Sequence, residues 1–277
     1  MGESFTSVSV IGAGYMGHQI IEKSALYGYN INIFDVSSEG LEEFVSEVKS
    51  KVDEKKIKVV IKIFPNISEA VKNTDLIIEA VPEKIELKRE IFSQIDKSAP
   101  PHAIIATNSS SIPISKLEDV VERKDKVMNI HFYNLFTIPL ADIMRGTQTS
   151  DATFQKGKFW VESIDITPLE VKKECYGFVL NRIWRAIKKD CLKIWAEGYA
   201  DLETVDKAWP IFCQSFVSND YGPFKFMDRI GLDVIYDIEM SYFKKSGLVD
   251  DKPPDNLKEM VERGELGVKT GKGFYDY

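Results

Sequence analysis

The tightest constraint on this chain is a glycine turn. Gly12, Gly14 and Gly17 stand in the run Gly-Ala-Gly-Tyr-Met-Gly, directly after the strand-like stretch Ser7–Ile11 and directly before a helical pattern. Each glycine has its own task. The first permits the tight turn, the second lets the backbone approach a diphosphate, and the third lets helix and strand pack closely. The diphosphate then rests on unpaired N–H groups at the positive end of the helix. This pattern predicts a dinucleotide site over Gly12, Ala13, Gly14, Tyr15, Met16 and Gly17. Asp35 follows the next strand pattern, Asn30–Phe34, 18 residues after Gly17, where a carboxylate accepts hydrogen bonds from ribose hydroxyls. Val36, Ser37 and Ser38 come next, with no Arg or Lys to pair with a 2′-phosphate, so NAD is expected over NADP. A structural turn beside an incidental surface aspartate is the competing reading.

The surrounding pattern agrees with such a fold. Strand-like runs recur at Lys58–Phe64, Leu76–Val81, Ala103–Thr107 and Val127–Phe132, with helical patterns at Gln19–Tyr27 and Glu86–Lys97 between them. Strand and helix in alternation imply parallel pairing through right-handed crossovers, an open α/β sheet covered on both faces. After about Val171 only helical patterns follow, over Gly177–Glu197, Leu202–Cys213, Leu232–Phe243 and Asn256–Arg263. The expected division is a Rossmann-type domain over 1–172 and an all-helical domain over 173–277. A length of 277 residues fits about two domains.

Composition narrows the function classes. Lys and Arg number 36 against 43 Asp and Glu, a net charge of −7, so nucleic acid is not the expected partner. The longest apolar runs fall far short of the ~20 residues a membrane span needs. The opening Met-Gly-Glu-Ser-Phe-Thr has no basic segment leading into an apolar one, so no secretory signal is expected. Three widely spaced cysteines, Cys175, Cys191 and Cys213, suit buried thiols in a reducing compartment. A cytoplasmic location is expected, and no metal.

Seven motifs then occur in order. They are E-A-V-P-E at Glu79–Glu83, T-N-S-S-S at Thr107–Ser111, H-F-Y-N at His131–Asn134 and L-A-D-I-M-R-G-T-Q-T-S at Leu140–Ser150. G-F-V-L-N-R at Gly177–Arg182, G-P-F-K-F-M-D-R-I-G-L-D at Gly222–Asp233 and L-G-V-K-T-G-K-G-F-Y-D-Y at Leu266–Tyr277 complete the set. Together they resemble the short-chain, NAD-dependent 3-hydroxyacyl-CoA dehydrogenase family over nearly the whole chain. The resemblance implies an oxidoreductase of fatty-acid metabolism, with a Rossmann-type domain and a helical dimerisation domain. It implies His131 as general base, Ser110 on the substrate oxygen, and Asn134 and Asn181 lining the pocket. Ala80, Val81, Glu83, Lys88 and Asn108 are implied on the cofactor.

Elementary chemistry supports the histidine, because oxidising a secondary alcohol needs a proton acceptor as hydride leaves. Of His18, His102 and His131, only the last ends an apolar strand at the carboxyl edge of the sheet, where open α/β folds bind ligands. In the family that histidine pairs with a glutamate twelve residues on. Here the residue with the matching flanks is Asp142, eleven residues after His131, and the family's proline after the asparagine is Leu135. Two outcomes stay open: the shorter loop returns Asp142 to the ring, or the dyad is broken.

The substrate also leaves alternatives. Family members that act on CoA thioesters carry a longer helical excursion after the second strand, whereas Val36–Ile57 here is short and mixes six nearby lysines with acidic residues. Such mixed charge reads as a solvated helix face, so no CoA-binding residue is carried over. Ile138–Asp142 reads I-P-L-A-D, similar to the loop of relatives that oxidise the free acids L-gulonate or carnitine. The closing motifs point to an L-3-hydroxyacyl-CoA instead, and that is the expected substrate. A free small 3-hydroxy acid is the alternative, and a non-catalytic NAD-binding protein a third reading. Large apolar residues of the helical part, Trp184, Trp195, Trp209, Phe212, Phe216, Tyr242 and Phe243, exceed what a domain of about a hundred residues must bury alone, and a homodimer is expected.

Overall fold

A computed structural model of the chain describes residues 5–175, 177–217 and 223–277, with the side chains of all but residues 188, 189, 192, 193, 195, 202, 214–217 and 245. The side chains of Trp195 and Phe216, named above, lie outside these, as does Gly222. The chain divides into two compact units, Met1–Lys188 and Lys189–Tyr277.

The first unit is built on one sheet. Its elements run β1 (Ser7–Ile11), α1 (Tyr15–Leu26), β2 (Asn30–Phe34), α2 (Leu41–Glu54), β3 (Ile61–Ile63), α3 (Ile67–Val71), β4 (Leu76–Glu79), α4 (Ile85–Ser98), β5 (Ile104–Thr107) and β6 (Val127–Phe132). Then come β7 (Leu140–Arg145), α5 (Asp151–Ser163), β8 (Thr167–Val171) and α6 (Leu180–Ala196), whose residues from Lys189 onward belong to the second unit. The strand order is β3-β2-β1-β4-β5-β6-β7-β8. The order reverses between β1 and β4, which opens a crevice beyond their carboxyl ends, as in other Rossmann-type folds.

Both faces of the sheet are covered, and the side chains divide with the strand period. In β4, Leu76 and Ile78 join the core cluster of Val8, Val10, Ile31 and Ile33, while Ile77 joins Ile11, Phe92 and Ile105 on the opposite face. This is why β4, β5 and β6 are buried at every position and read as apolar runs without alternation.

Parallel pairing does not hold throughout. β7 runs antiparallel to β6, and residues 133–139 join them, an exception within the parallel pairing that the alternation of strand and helix implies. Parallel order resumes between β7 and β8 through α5. In the register of this hairpin His131 lies directly opposite Asp142.

The second unit contains α7 (Leu202–Val217), α8 (Pro223–Ile230), α9 (Leu232–Ser246) and α10 (Asp255–Glu262). Among the described residues no strand follows Val171. Its closing segment folds onto a buried carboxylate: Asp228 accepts from the N–H groups of Phe274 at 2.9 Å and Tyr275 at 3.0 Å, and from the Tyr277 hydroxyl. None of the described helices is long and apolar enough to cross a membrane.

Candidate active site

The glycine turn closes at van der Waals limits. Gly12 has φ +99°, and a Cβ there would lie 2.8 Å from the Ala80 carbonyl carbon. A Cβ on Gly17 would come 2.1 Å from the Gly12 oxygen, so the third glycine locks α1 against the turn. A Cβ on Gly14 would meet nothing within 4 Å, because that position faces open space. α1 begins with no side-chain cap, which leaves its first N–H groups for an anion.

That space is a cavity of about 660 Å³, lined by Gly12, Gly14, Tyr15, Met16, Asp35, Ala80, Val81, Glu83, Lys88, Asn108, Ser110, His131 and Tyr133 among others. Most of the residues expected on the cofactor are therefore gathered at one place. Asp35 accepts from Ala13 N–H at 2.6 Å and from Ser37 N–H at 2.8 Å. A carboxylate has about four acceptor sites, so capacity is left for ribose hydroxyls. The one cation among the described lining residues is Lys88, and it is committed elsewhere. Glycine cradle, free helix start and acidic ribose end together fit NAD.

Lys88 sits at 1% exposure with its ammonium 2.7 Å from Glu79 Oε1 and 3.3 Å from Glu83 Oε2, and it also donates to the Val81 carbonyl. Glu79 accepts further from Val81 N–H at 2.8 Å and the Thr107 hydroxyl at 2.7 Å. A buried ion pair survives only when its remaining hydrogen-bonding positions are filled, as these are. Glu83 receives the hydroxyls of Ser109 and Ser111. Burial pushes the Glu83 carboxyl up, but those two hydroxyls and Lys88 overcome it and hold it at about 2. Glu79 opens the E-A-V-P-E motif, yet no role was read for it; the available signal was its place nine residues before Lys88 on the next helix.

At the end of β6 the ring of His131 is 6% exposed and Asp142 on β7 is 1% exposed. Asp142 Oδ2 lies 3.5 Å from His131 Nδ1, in ion-pair range yet beyond a hydrogen bond. The same oxygen accepts from the Tyr133 hydroxyl, and Oδ1 accepts from Val179 N–H at 3.3 Å. The Phe178 ring covers His131, with centroids 5.2 Å apart.

Other expected residues stand apart from the cavity. Asn134 folds its own loop, accepting from Phe136 and Thr137 N–H groups, and donates to the Tyr15 hydroxyl at 2.8 Å. Asn181 stands in the first turn of α6. Asn108, which does line the cavity, accepts from Phe132 N–H at 2.9 Å. Ser109 rather than Ser110 closes the turn after β5, accepting from Ile112 N–H at 2.7 Å, so the Ser110 hydroxyl is not needed there.

The 3-hydroxyacyl-CoA dehydrogenase NAD binding domain matches residues 7–175, and the C-terminal domain of the same family matches residues 177–277. The chain belongs to the 3-hydroxyacyl-CoA dehydrogenase family. It is similar to the probable 3-hydroxybutyryl-CoA dehydrogenase of Bacillus subtilis, 32% identical over 98% of this chain and 96% of the relative. A solved 3-hydroxyacyl-CoA dehydrogenase from Archaeoglobus fulgidus is 27% identical over 98% of this chain and 92% of its own, with a TM-score of 0.81. A solved diketoreductase, described for its dual catalysis of dicarbonyl compounds, is 30% identical over the whole of both chains, with a TM-score of 0.69.

This family member is thus an NAD-binding oxidoreductase, and the Glu83 cluster gives it a testable acid response. A carboxyl held below its ordinary 4.5 contributes stability that is present above about 4.5 and lost as pH falls toward about 2. The urea midpoint of Glu83→Gln is expected to lie below that of the native chain near about pH 7, with the gap narrowing below about pH 4.5 and closing only toward about pH 2. An unchanged gap across that range contradicts the assignment.

Proposed function

We propose that the chain oxidises an L-3-hydroxyacyl-CoA to the 3-oxoacyl-CoA, reversibly and with NAD, and that His131 is the general base. The observation that carries this reading is His131 at the wall of the dinucleotide cavity with a buried carboxylate 3.5 Å behind its Nδ1 atom. Nδ1 faces Asp142, so Nε2 is the nitrogen free to take the hydroxyl proton. Bound NAD supplies the hydride acceptor for the electrons leaving C3. As His131 gains its proton, Asp142 offers the compensating negative charge, which matters more in a site nearly closed to water. The Ser110 hydroxyl donates to a ketone and accepts from an alcohol, so it serves either direction. Asn134, bonded to the cavity-lining Tyr15, and Asn181, at the start of α6, are assigned to the substrate side by the family motifs in which they stand. General-base help of this kind is commonly worth about 10²–10⁴-fold.

In this reading residues 1–172 bind NAD and 173–277 hold substrate and pair two copies of the chain. Exposed Trp209, Phe212, Phe224 and Tyr242 support a homodimer. Sedimentation at micromolar concentration is expected to give twice the chain mass, and a monomer contradicts the pairing. Free thiols at Cys175, Cys191 and Cys213 support a cytoplasmic place of action.

A free 3-hydroxy acid remains the second reading. The lysines of α2 and the following loop, including Lys49, Lys51, Lys55 and Lys56, are exposed, and Lys51 pairs with Glu22 at 2.6 Å, so a ready CoA cradle is not among the supports. Similarity to the diketoreductase, whose substrates are dicarbonyl compounds, supports this second reading. NADH-linked reduction of acetoacetyl-CoA and of free acetoacetate, measured in parallel, separates the two. Turnover of the thioester alone is expected, and His131→Ala is expected to lower kcat by about 10²–10⁴-fold with NADH binding intact. Turnover of the free acid alone overturns the substrate; NADH binding without any turnover overturns the enzyme.

A further inference from the structure

The Asp142 carboxylate is shared. Its Oδ2 atom, the one 3.5 Å from His131 Nδ1, already accepts the hydroxyl proton of Tyr133. His131 Nδ1 itself is buried with no hydrogen-bond partner among the described residues. Tyr133 lines the same cavity and stands edge-on to the His131 ring, with centroids 4.7 Å apart and planes at 74°. The N–H groups of Leu180 and Asn181, at the start of α6, act on the same phenol oxygen and oppose its rise, while burial first and Asp142 second push Tyr133 well above the ordinary phenol range. The phenol therefore keeps its proton at any working pH and serves Asp142 as a constant donor.

Resting on His131 as the base of the proposed reaction, we propose that Tyr133 is a positioning residue that holds the Asp142 oxygen facing His131 and, by sharing its charge, lowers the basicity of the imidazole. A hydrogen bond donated to a carboxylate stabilises its charge in place, and less of that charge is then available to an imidazolium. A base too strongly paired stays protonated and cannot accept the substrate proton, so moderating the pair suits a reversible step. Other ionisable side chains are accounted for. Asp35, Glu83 and Lys88 line the cavity, Lys88 is neutralised by Glu79 and Glu83, and Cys175 packs behind Phe178. None of these bonds Asp142 among the described residues.

The test reads the imidazole itself in the full-length chain. Proton NMR titration of the His131 ring, assigned against His131→Ala among the three histidines, is expected to show its midpoint raised in Tyr133→Phe by about half to one pH unit. In the Asp142→Asn background the same change is expected to have no effect, which a purely structural role of the tyrosine would not produce. An unmoved midpoint in Tyr133→Phe, or a shift that persists without the Asp142 charge, overturns the inference. Should Tyr133→Phe fail to fold, ultraviolet titration of the tyrosines in Asp142→Asn decides instead: one phenol ionising at lower pH than in the native chain supports the contact, and an identical curve overturns it. The ring titration needs no turnover, so its failure counts against Tyr133 alone, whereas absent dehydrogenase activity counts against the base.

Discussion

A one-residue slip of β7 against β6 would turn Asp142 to the opposite face of the sheet, because side chains alternate along a strand. The site depends on that register. His131 and Asp142 are cross-strand neighbours in an antiparallel pair, and their backbones are held by the ladder on either side. A buried carboxylate and an imidazole are costly to desolvate, and removing one partner leaves the other uncompensated. The hairpin makes the pairing a property of the sheet, while the dinucleotide cradle arises separately at the β1–β4 reversal. Both meet at one cavity because every parallel strand there ends on the same edge.

The covering segment adds a second constraint. Gly177 and Phe178 both take positive φ, +80° and +49°, and a non-glycine residue there carries strain of roughly 1–2 kcal/mol. What the strain accomplishes is visible in the contacts. It lays the Phe178 ring over His131 and turns Val179 N–H onto Asp142. Phe178, which the family motif G-F-V-L-N-R contributes, thereby helps bury the His131–Asp142 pair, and the same turn starts α6 beside Tyr133.

Much of this was legible in the sequence, for particular reasons. The glycine turn declares itself because only glycine tolerates the Gly12 and Gly17 geometries. Asp35 follows at the spacing a βαβ unit imposes, and His131 ends a run too apolar to lie on the surface. Neither β7 nor its reversal was legible, since L-A-D-I-M-R carries no period that separates strand from loop and its direction is set by residues 133–139. The commitment of Lys88 to Glu79 was hidden too, because it depends on β4 and α4 folding against each other. Tyr133 passed for one more aromatic. Its importance lies in a partner nine residues away, which a hairpin brings close and a linear pattern does not reveal.

The central claim is that a carboxylate opposite a histidine makes that histidine the proton acceptor of an NAD-linked oxidation. The pH dependence of kcat/KM for 3-hydroxybutyryl-CoA, in the native chain and in Asp142→Ala, tests it most directly. The account predicts an acid limb from protonation of His131, moved to lower pH and reduced in plateau once the carboxylate no longer supports the imidazolium. Superimposable profiles, or an acid limb that survives in His131→Ala, would contradict it.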